Sequence, residues 1–227
     1  MQVDLGKQVL EFVGFFIAFC LALFLPAGTT AWAAGWIFLA LFCCFYVGVT
    51  AWLYRHSPGL MQERLTLFSP EQPRWDRILF AVLLVFPFLW LAFMSFDATR
   101  FHWSPVPLLL HALGTLLLLW SFYLIFIAFR ENAFASAVVR PQDDRSQVVI
   151  TSGPYRRVRH PMYSGILVFS LAVPMVLGSW YGEVCALLFI ALLARRAVME
   201  EKELRERLPG YDAYAAQVRY RFVPHVW

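Results

Sequence analysis

Residues 151–165 read TSGPYRRVRHPMYSG, residues 166–194 continue as ILVFSLAVPMVLGSWYGEVCALLFIALLA, and residues 195–201 return to charge as RRAVMEE. Two polar clusters therefore bracket a pair of apolar runs, with the turn Gly178-Ser179-Trp180-Tyr181-Gly182 between them. This is the pattern of an antiparallel helical hairpin in a membrane with both polar ends at one surface. Pro174 inside the first run predicts a kink or tilt. Polar groups in or beside a bilayer are costly to keep, so the two clusters are the first place to look for a site.

Outside this hairpin the chain is just as apolar. It has 227 residues, is 60% hydrophobic and 15% charged, and has a mean hydropathy of +0.62. A soluble domain rarely exceeds half apolar. The runs at about 8–26, 34–54, 78–96 and 106–129 join those at 162–178 and 181–198. The prediction is an all-α fold, a polytopic transmembrane bundle of about six spans with short polar helices after it. The first run has no small-residue cleavage site and reads as a retained span.

Charge predicts the orientation. Of the 19 Lys and Arg, 18 fall on one side of a six-span arrangement and only Arg100 on the other. The positive-inside rule makes the rich side cytosolic, with both termini there. The net charge of +4 is then a consequence of topology, and nucleic-acid binding is not implied. Cys20, Cys43, Cys44 and Cys185 lie within apolar runs and read as small hydrophobes. The five histidines show no metal-ligand spacing, so no metal is expected. No internal repeat is visible and the spans are poor in ionisable groups, which argues against a transporter.

Within the polar segments, Gln147-Val148-Val149-Ile150-Thr151 reads as a short extended piece before the Gly153-Pro154 turn. A residue before proline is biased away from helix, and proline suits the first helical position. His160 should therefore precede the fifth span, with Tyr163 on the same face. The free N–H groups there suit a carboxylate or phosphate, and Gly165 leaves room for close approach. Arg156, Arg157 and Arg159 read individually as interfacial anchors. Arg196 and Glu200, four apart on a helix, either form a simple salt bridge or line a cavity with Tyr155 and Tyr163. Glu201 and Glu203 read as solvated positions on a helix running to Leu208 and ended by Pro209-Gly210. Tyr211 and Tyr214 then share a face of a short helix, a lid or dock.

Taken together, GPYRRVRHPMYSG (153–165), RRAVMEEKEL (195–204) and PGYDAYAAQVRYRFVP (209–224) resemble the isoprenylcysteine carboxyl methyltransferase family, whose C-terminal core is shared by the phospholipid methyltransferases. The resemblance covers roughly residues 130–225. It rests on G-x-Y-x₄-H-P-x-Y-x-G combined with Glu-Glu and a terminal Y-x-x-Y. The loop RHSPGLMQERL (55–65) with RWDR (74–77) is similar to bacterial-type members, which implies a bacterial inner membrane. The resemblance implies one integral membrane domain, with N-terminal spans over 1–130 and a cofactor-binding core over 131–227.

It further implies an S-adenosylmethionine-dependent methyltransferase acting from the cytosolic face on a lipophilic or lipidated acceptor that enters from the bilayer. Gln147, Val148, Val149, Ile150, Tyr155, His160, Pro161, Met162, Tyr163 and Glu200 would contact the cofactor, and Arg196 would stand at the methyl acceptor. Arg140 occupies a position where eukaryotic members have a neutral polar residue, and the spacing from Glu200 to Tyr211 and Tyr214 differs slightly. The chemistry agrees: tyrosine faces suit a sulfonium, the helix N-terminus and His160 a carboxylate, and Glu200 an amine or ribose. Arg196 can pair with a carboxylate but cannot act as a base, which favours carboxyl O-methylation, as of a prenylcysteine-like acid, over lipid-amine N-methylation. The other class to weigh is an NADPH-dependent sterol-type membrane reductase, which shares a related C-terminal core.

Overall fold

Apolar side chains on every face of a helix leave it no polar side to turn to water, and four of the five longest helices here are of that kind. The computed structural model describes residues 5–64, 67–140 and 145–227. Its helices are α1 (Leu5–Ala27), α2 (Ala33–His56), α3 (Pro58–Arg64), α4 (Arg74–Ser95), α5 (Leu108–Glu131), α6 (Pro161–Leu177), α7 (Trp180–Arg207) and α8 (Tyr211–Gln217). A π-helical turn over Phe96–Phe101 extends α4, and a 3-10 turn covers Gly153–Arg156. No strand occurs among the described residues.

Four segments are long and apolar enough to cross a membrane: Val9–Ala27, Ala33–His56, Arg74–Phe101 and Leu108–Glu131. The hairpin predicted as spans five and six differs from these four. α6 has only 17 residues. α7 has 28, of which the first half is apolar and the second charged. Leu25, Ile78, Leu89, Leu108 and Leu109 are each more than two-thirds exposed, the outer surface expected of a bundle solvated by lipid.

The core inside that surface is built by Leu23, Phe38, Leu39, Trp90, Met94, Leu118, Val173, Leu177 and Ala186 from six helices. α6 packs chiefly on α5. A side chain at Gly165 would put its Cβ 2.6 Å from Ile125 Cγ1, and one at Gly114 would meet Met175 Cβ at 2.6 Å. Small residues let helix backbones approach without a hydrophobic driving force between them. The space at Gly165 is thus filled by α5, not left for a ligand.

One end of the bundle is closed by a polar knot. Asp97 is fully buried and accepts from Ser179 Oγ at 2.5 Å, from the Ser104 backbone N–H at 3.0 Å and from the Ser104 hydroxyl. Ser179 also caps α7 by accepting from the Gly182 N–H at 3.0 Å. Arg100 lies against Gly28 at this same end. The starts of α4 and α6, and the ends of α2, α5 and α7, lie at the opposite end, and the candidate site is there.

Candidate active site

The three pieces singled out in the sequence meet in one open cleft. Its walls come from the segment after α5, from Gln147–Ile150, from Tyr155, from the start of α6, from the polar half of α7 and from α8. Gln147, Val148, Val149, Ile150, Tyr155, His160, Met162, Tyr163, Arg196 and Glu200 all line it. Pro161 does not; it is buried at the first helical position of α6, where its fixed φ starts the helix. Gln147–Ile150 belongs to no strand, and no backbone hydrogen bond joins it to the described residues, so its N–H and C=O groups remain available at the cleft wall.

Four tyrosines shape the interior. Tyr155 is buried, and its hydroxyl accepts from Asn132 Nδ2 at 3.0 Å. Tyr214 closes over it, donating to the Tyr155 carbonyl at 2.8 Å. Burial pushes the phenols of Tyr155 and Tyr211 well up, and that of Tyr214 up to about 12, so all three stay neutral. The Tyr211 hydroxyl is buried with no hydrogen-bond partner among the described residues. Such a group normally costs about 1–3 kcal/mol and calls for a partner the protein does not supply. Tyr163 donates to Glu200 Oε2 at 2.7 Å, while no described residue bonds Oε1 of that carboxylate.

The acid–base pairing differs from the sequence expectation in three ways. First, Arg196 does not bridge to Glu200. Its Nε lies 2.9 Å from Oδ1 of the fully buried Asp76, and its Nη2 donates to the Ala137 carbonyl at 2.7 Å. Asp76 is held in turn by Gln72 Nε2 at 2.7 Å and the Val139 N–H at 2.9 Å. The Nε–Nη2 edge of the guanidinium is thus spent inside the protein, and the Nη1 edge is the one left for a ligand.

Second, Glu201 is not a solvated position. It is buried, and its carboxylate accepts from Arg159 Nε at 2.7 Å, His160 Nε2 at 3.1 Å and Arg221 Nε at 3.1 Å. Burial alone would raise its carboxyl, but the His160 and Arg159 hydrogen bonds and charges outweigh that and hold it at about 2. An ionised carboxylate only accepts, so the His160 proton facing it must sit on Nε2. Glu203 is half-buried as well, accepting from Trp75 Nε1 at 3.3 Å and from Arg207 at 2.9 Å.

Third, Arg159 is no membrane anchor. It is buried and ties the C-terminal tail down, whereas Arg156 and Arg157 are exposed as expected. The His160 ring stacks on Tyr163 with centroids 5.3 Å apart and planes at 6°, and so forms part of the cleft lining with one nitrogen committed to Glu201.

The sequence reading passed over Asp76, Asn132 and Glu63. Glu63 grips Arg140 at 2.6 Å, so that cleft arginine is also ion-paired. Asp76 carried a usable signal: it is an acid at the mouth of an apolar run, the position where an ionisable group calls for a named partner.

Residues 109–209 match the family model described as phospholipid methyltransferase. Over 229 aligned residues the chain is also 26% identical to Delta(14)-sterol reductase TM7SF2 of Mus musculus. That alignment takes in 82% of this chain and 54% of the reductase, so the chain spans about half the length of the curated relative it matches. The family match takes in the segment that builds most of the cleft: the end of α5, the start of α6 and the polar half of α7.

Proposed function

We propose that the protein is a membrane methyltransferase that uses S-adenosylmethionine and acts on a lipophilic acid. The observation that carries this reading is the charge state of the cleft. Its arginines are already committed, Arg140 to Glu63, Arg159 to Glu201 and Arg196 to Asp76. What the cleft offers a ligand is one open carboxylate oxygen of Glu200, four tyrosine rings, the orphan hydroxyl of Tyr211 and the unpaired edge of Gln147–Ile150. That set suits a small ligand bearing cationic groups and a nucleoside. It suits a multiply phosphorylated nicotinamide cofactor poorly, because among the described residues each arginine lining the cleft is already paired with an acid.

In this reading Glu200 Oε1 takes the cofactor's amine and the N–H groups at the start of α6 its carboxylate. Tyr211 bonds the ribose or the base, and the tyrosine faces surround the sulfonium. When bound, the cofactor would supply an electrophilic methyl: the O–CH3 bond would form as the S–CH3 bond breaks, the sulfur leaving as a neutral thioether with that electron pair, and no proton need move when the acceptor is already a carboxylate. Arg196 holds that carboxylate by its Nη1 edge, with Asp76 fixing the plane of the guanidinium. α8 and the tail exclude water. The cleft-bearing end then faces the cytosol, in line with the basic residues gathered there.

The likeness to a sterol reductase supports a second reading, reduction of a membrane lipid with NADPH. Titrating S-adenosylmethionine and NADPH side by side into the purified protein separates the two. The expected result is micromolar or tighter binding of S-adenosylmethionine, about −8 kcal/mol, weakened at least tenfold by Glu200→Ala. Binding of NADPH alone overturns the proposal.

A further inference from the structure

Residues 219–227 carry apolar side chains that the protein leaves uncovered. Val226 is 77% exposed, and Val223 and Trp227 are exposed beside it. These side chains are held in place. The Val226 and Trp227 N–H groups donate to the Val223 carbonyl at 3.1 and 3.2 Å, and the Arg221 guanidinium lies 4.8 Å from the centre of the Trp227 ring. The turn is fastened to the lead-in of α6, where the Arg159 and His160 N–H groups donate to the Tyr220 and Arg221 carbonyls, each at 2.9 Å. Phe222 is buried and plugs the seam between α6 and α7 against Tyr163, Leu193 and Ala197. An ordered turn that buries one face and shows apolar side chains on the other has a second surface to meet.

The neighbouring helices fix the depth of this turn. A side chain at Gly153 would put its Cβ 2.7 Å from Glu131, the last residue of α5, whereas Gly165 lies against Ile125, deeper in the same helix. The lead-in of α6 is thus level with the end of a helix long and apolar enough to cross a membrane, Leu108–Glu131. The turn bonded to it lies where hydrocarbon gives way to headgroups, the level at which tryptophan is enriched. The charges agree. Arg219 opens the turn, and Arg195 follows Ala194, which packs in the same cluster as Phe222. Both arginines are exposed, and among the described residues no acid pairs with either. Val198, also exposed, lies three residues beyond Arg195 on the same face of α7. Uncovered apolar side chains flanked by unpaired cations match a lipid surface with negative headgroups, since a soluble acidic partner would leave the valines in water.

We propose that residues 219–227, with Arg195 and Val198 of α7, form a docking surface for the anionic phospholipid headgroups of the leaflet at the cleft end. The surface lies outside the cleft lining and does not depend on which cofactor the cleft takes. It bears on the cleft all the same. Phe222 stands edge-on to Tyr163, and Arg221 donates to Glu201, whose carboxylate also holds His160. A turn seated on lipid therefore steadies two residues of the cleft wall, and the charge of the membrane sets how firmly the start of α6 is held.

The test uses the full chain in nanodiscs of phosphatidylcholine, alone or mixed equally with phosphatidylglycerol. Hydrogen exchange across residues 221–227 should be about fivefold slower, or more, in the mixed discs. Residues 162–167 at the start of α6 should slow in the same direction. Arg195→Gln combined with Arg219→Gln should abolish the difference and leave exchange in pure phosphatidylcholine unchanged. Free sn-glycerol 1-phosphate added to the phosphatidylcholine discs should protect nothing. Depth is read from a nitroxide on Val226→Cys in a background lacking the four native cysteines. It should be more accessible to oxygen than to a water-soluble nickel chelate, the reverse of a nitroxide on Lys202→Cys, where the native side chain is 81% exposed. Equal exchange in the two discs, protection by the free phosphate, or a Val226 label open to the chelate overturns the inference. A slowed turn with an indifferent α6 overturns its coupling to the cleft.

Discussion

Arg159 and Glu201 are 42 positions apart and meet with Nε 2.7 Å from Oε1, both side chains buried. The other end of the same guanidinium, Nη1, reaches the carbonyls of Val218 at 3.1 Å and Arg219 at 3.2 Å. Arg221 returns to Glu201 Oε2 at 3.1 Å. One carboxylate on α7 therefore ties the start of α6 to the C-terminal tail. That tail delivers Phe222 edge-on to Tyr163, with centroids 5.7 Å apart, and so becomes part of the support of the cleft.

Glu201→Gln should release the tail. Losing one partner of a buried ion pair costs about 3–5 kcal/mol, because the other charge is left desolvated. In detergent, trypsin should cut the variant after Arg219 and Arg221 at least tenfold faster than the parent. Equal cleavage rates would mean the tail is held by its apolar contacts alone.

The same clamp sets an acid limit. The Glu201 carboxyl is held at about 2 in the folded protein, below its ordinary value of 4.5. A depressed pKa contributes stability that is complete above the unfolded value and is lost as pH falls through the folded one. Tail protection should therefore decline from about pH 4.5 down to about pH 2. Hydrogen exchange of residues 218–227 measures it. Glu201→Gln should show no such decline, and a parent profile flat across that window would refute the assignment.

Much of this was legible in the sequence, for identifiable reasons. Apolar runs of membrane length dictate helices whatever surrounds them, and His160-Pro161 fixes where α6 begins. Ten of the eleven positions assigned to the site converge on one cleft because they cluster in two short stretches plus one hairpin turn away. What escaped were pairings across long separations. A lone reading of Arg196 finds Glu200 four residues on, but its partner is Asp76, 120 positions earlier, brought there by α4 packing on α7. Glu201 looked solvated because a helix of mixed charge gives no hint that a tail folds back over one face. α7 misled in a further way, since its apolar half has span character while its charged half carries the site outside.

Tyr211→Phe separates ligand binding from stability. The Tyr211 hydroxyl is buried and unpartnered, so removing it should leave the unliganded protein as stable as before, or more stable by about 1 kcal/mol. S-adenosylmethionine affinity should nevertheless fall about 5–30-fold, the equivalent of one lost hydrogen bond of about 1–2 kcal/mol. Thermal unfolding with and without ligand reads both. A destabilised unliganded variant with unchanged affinity would show that the hydroxyl serves the fold.

Sidedness is open to direct labelling in cells, in a background lacking Cys20, Cys43, Cys44 and Cys185. Ser179 is fully buried and bonded to Asp97, so a cysteine there would report nothing about sidedness. Trp103, about half exposed beside Arg100, is the better outer reporter, and exposed Arg74 the inner one. Trp103→Cys should react with an impermeant maleimide from outside and Arg74→Cys only after permeabilisation. The reverse pattern would invert the orientation.

Asp76 and Arg196 should act as one unit in turnover. Asp76 Oδ1 fixes the guanidinium plane from the Nε side, leaving Nη1 for the acceptor. Asp76→Asn keeps the shape but weakens a charge-assisted bond, and Arg196→Lys substitutes a point charge for a planar fork. Each should lower kcat at least tenfold with labelled S-adenosylmethionine and a C16 acid, while cofactor affinity changes less than threefold, since neither side chain is assigned to the cofactor. The double variant should fall little further than the worse single one, a coupling of about 1–3 kcal/mol, because both changes disable the same placement of the acceptor. Independent, additive losses would mean that Asp76 serves only the fold. A loss of cofactor affinity in Arg196→Lys would move the arginine from the acceptor to the cofactor.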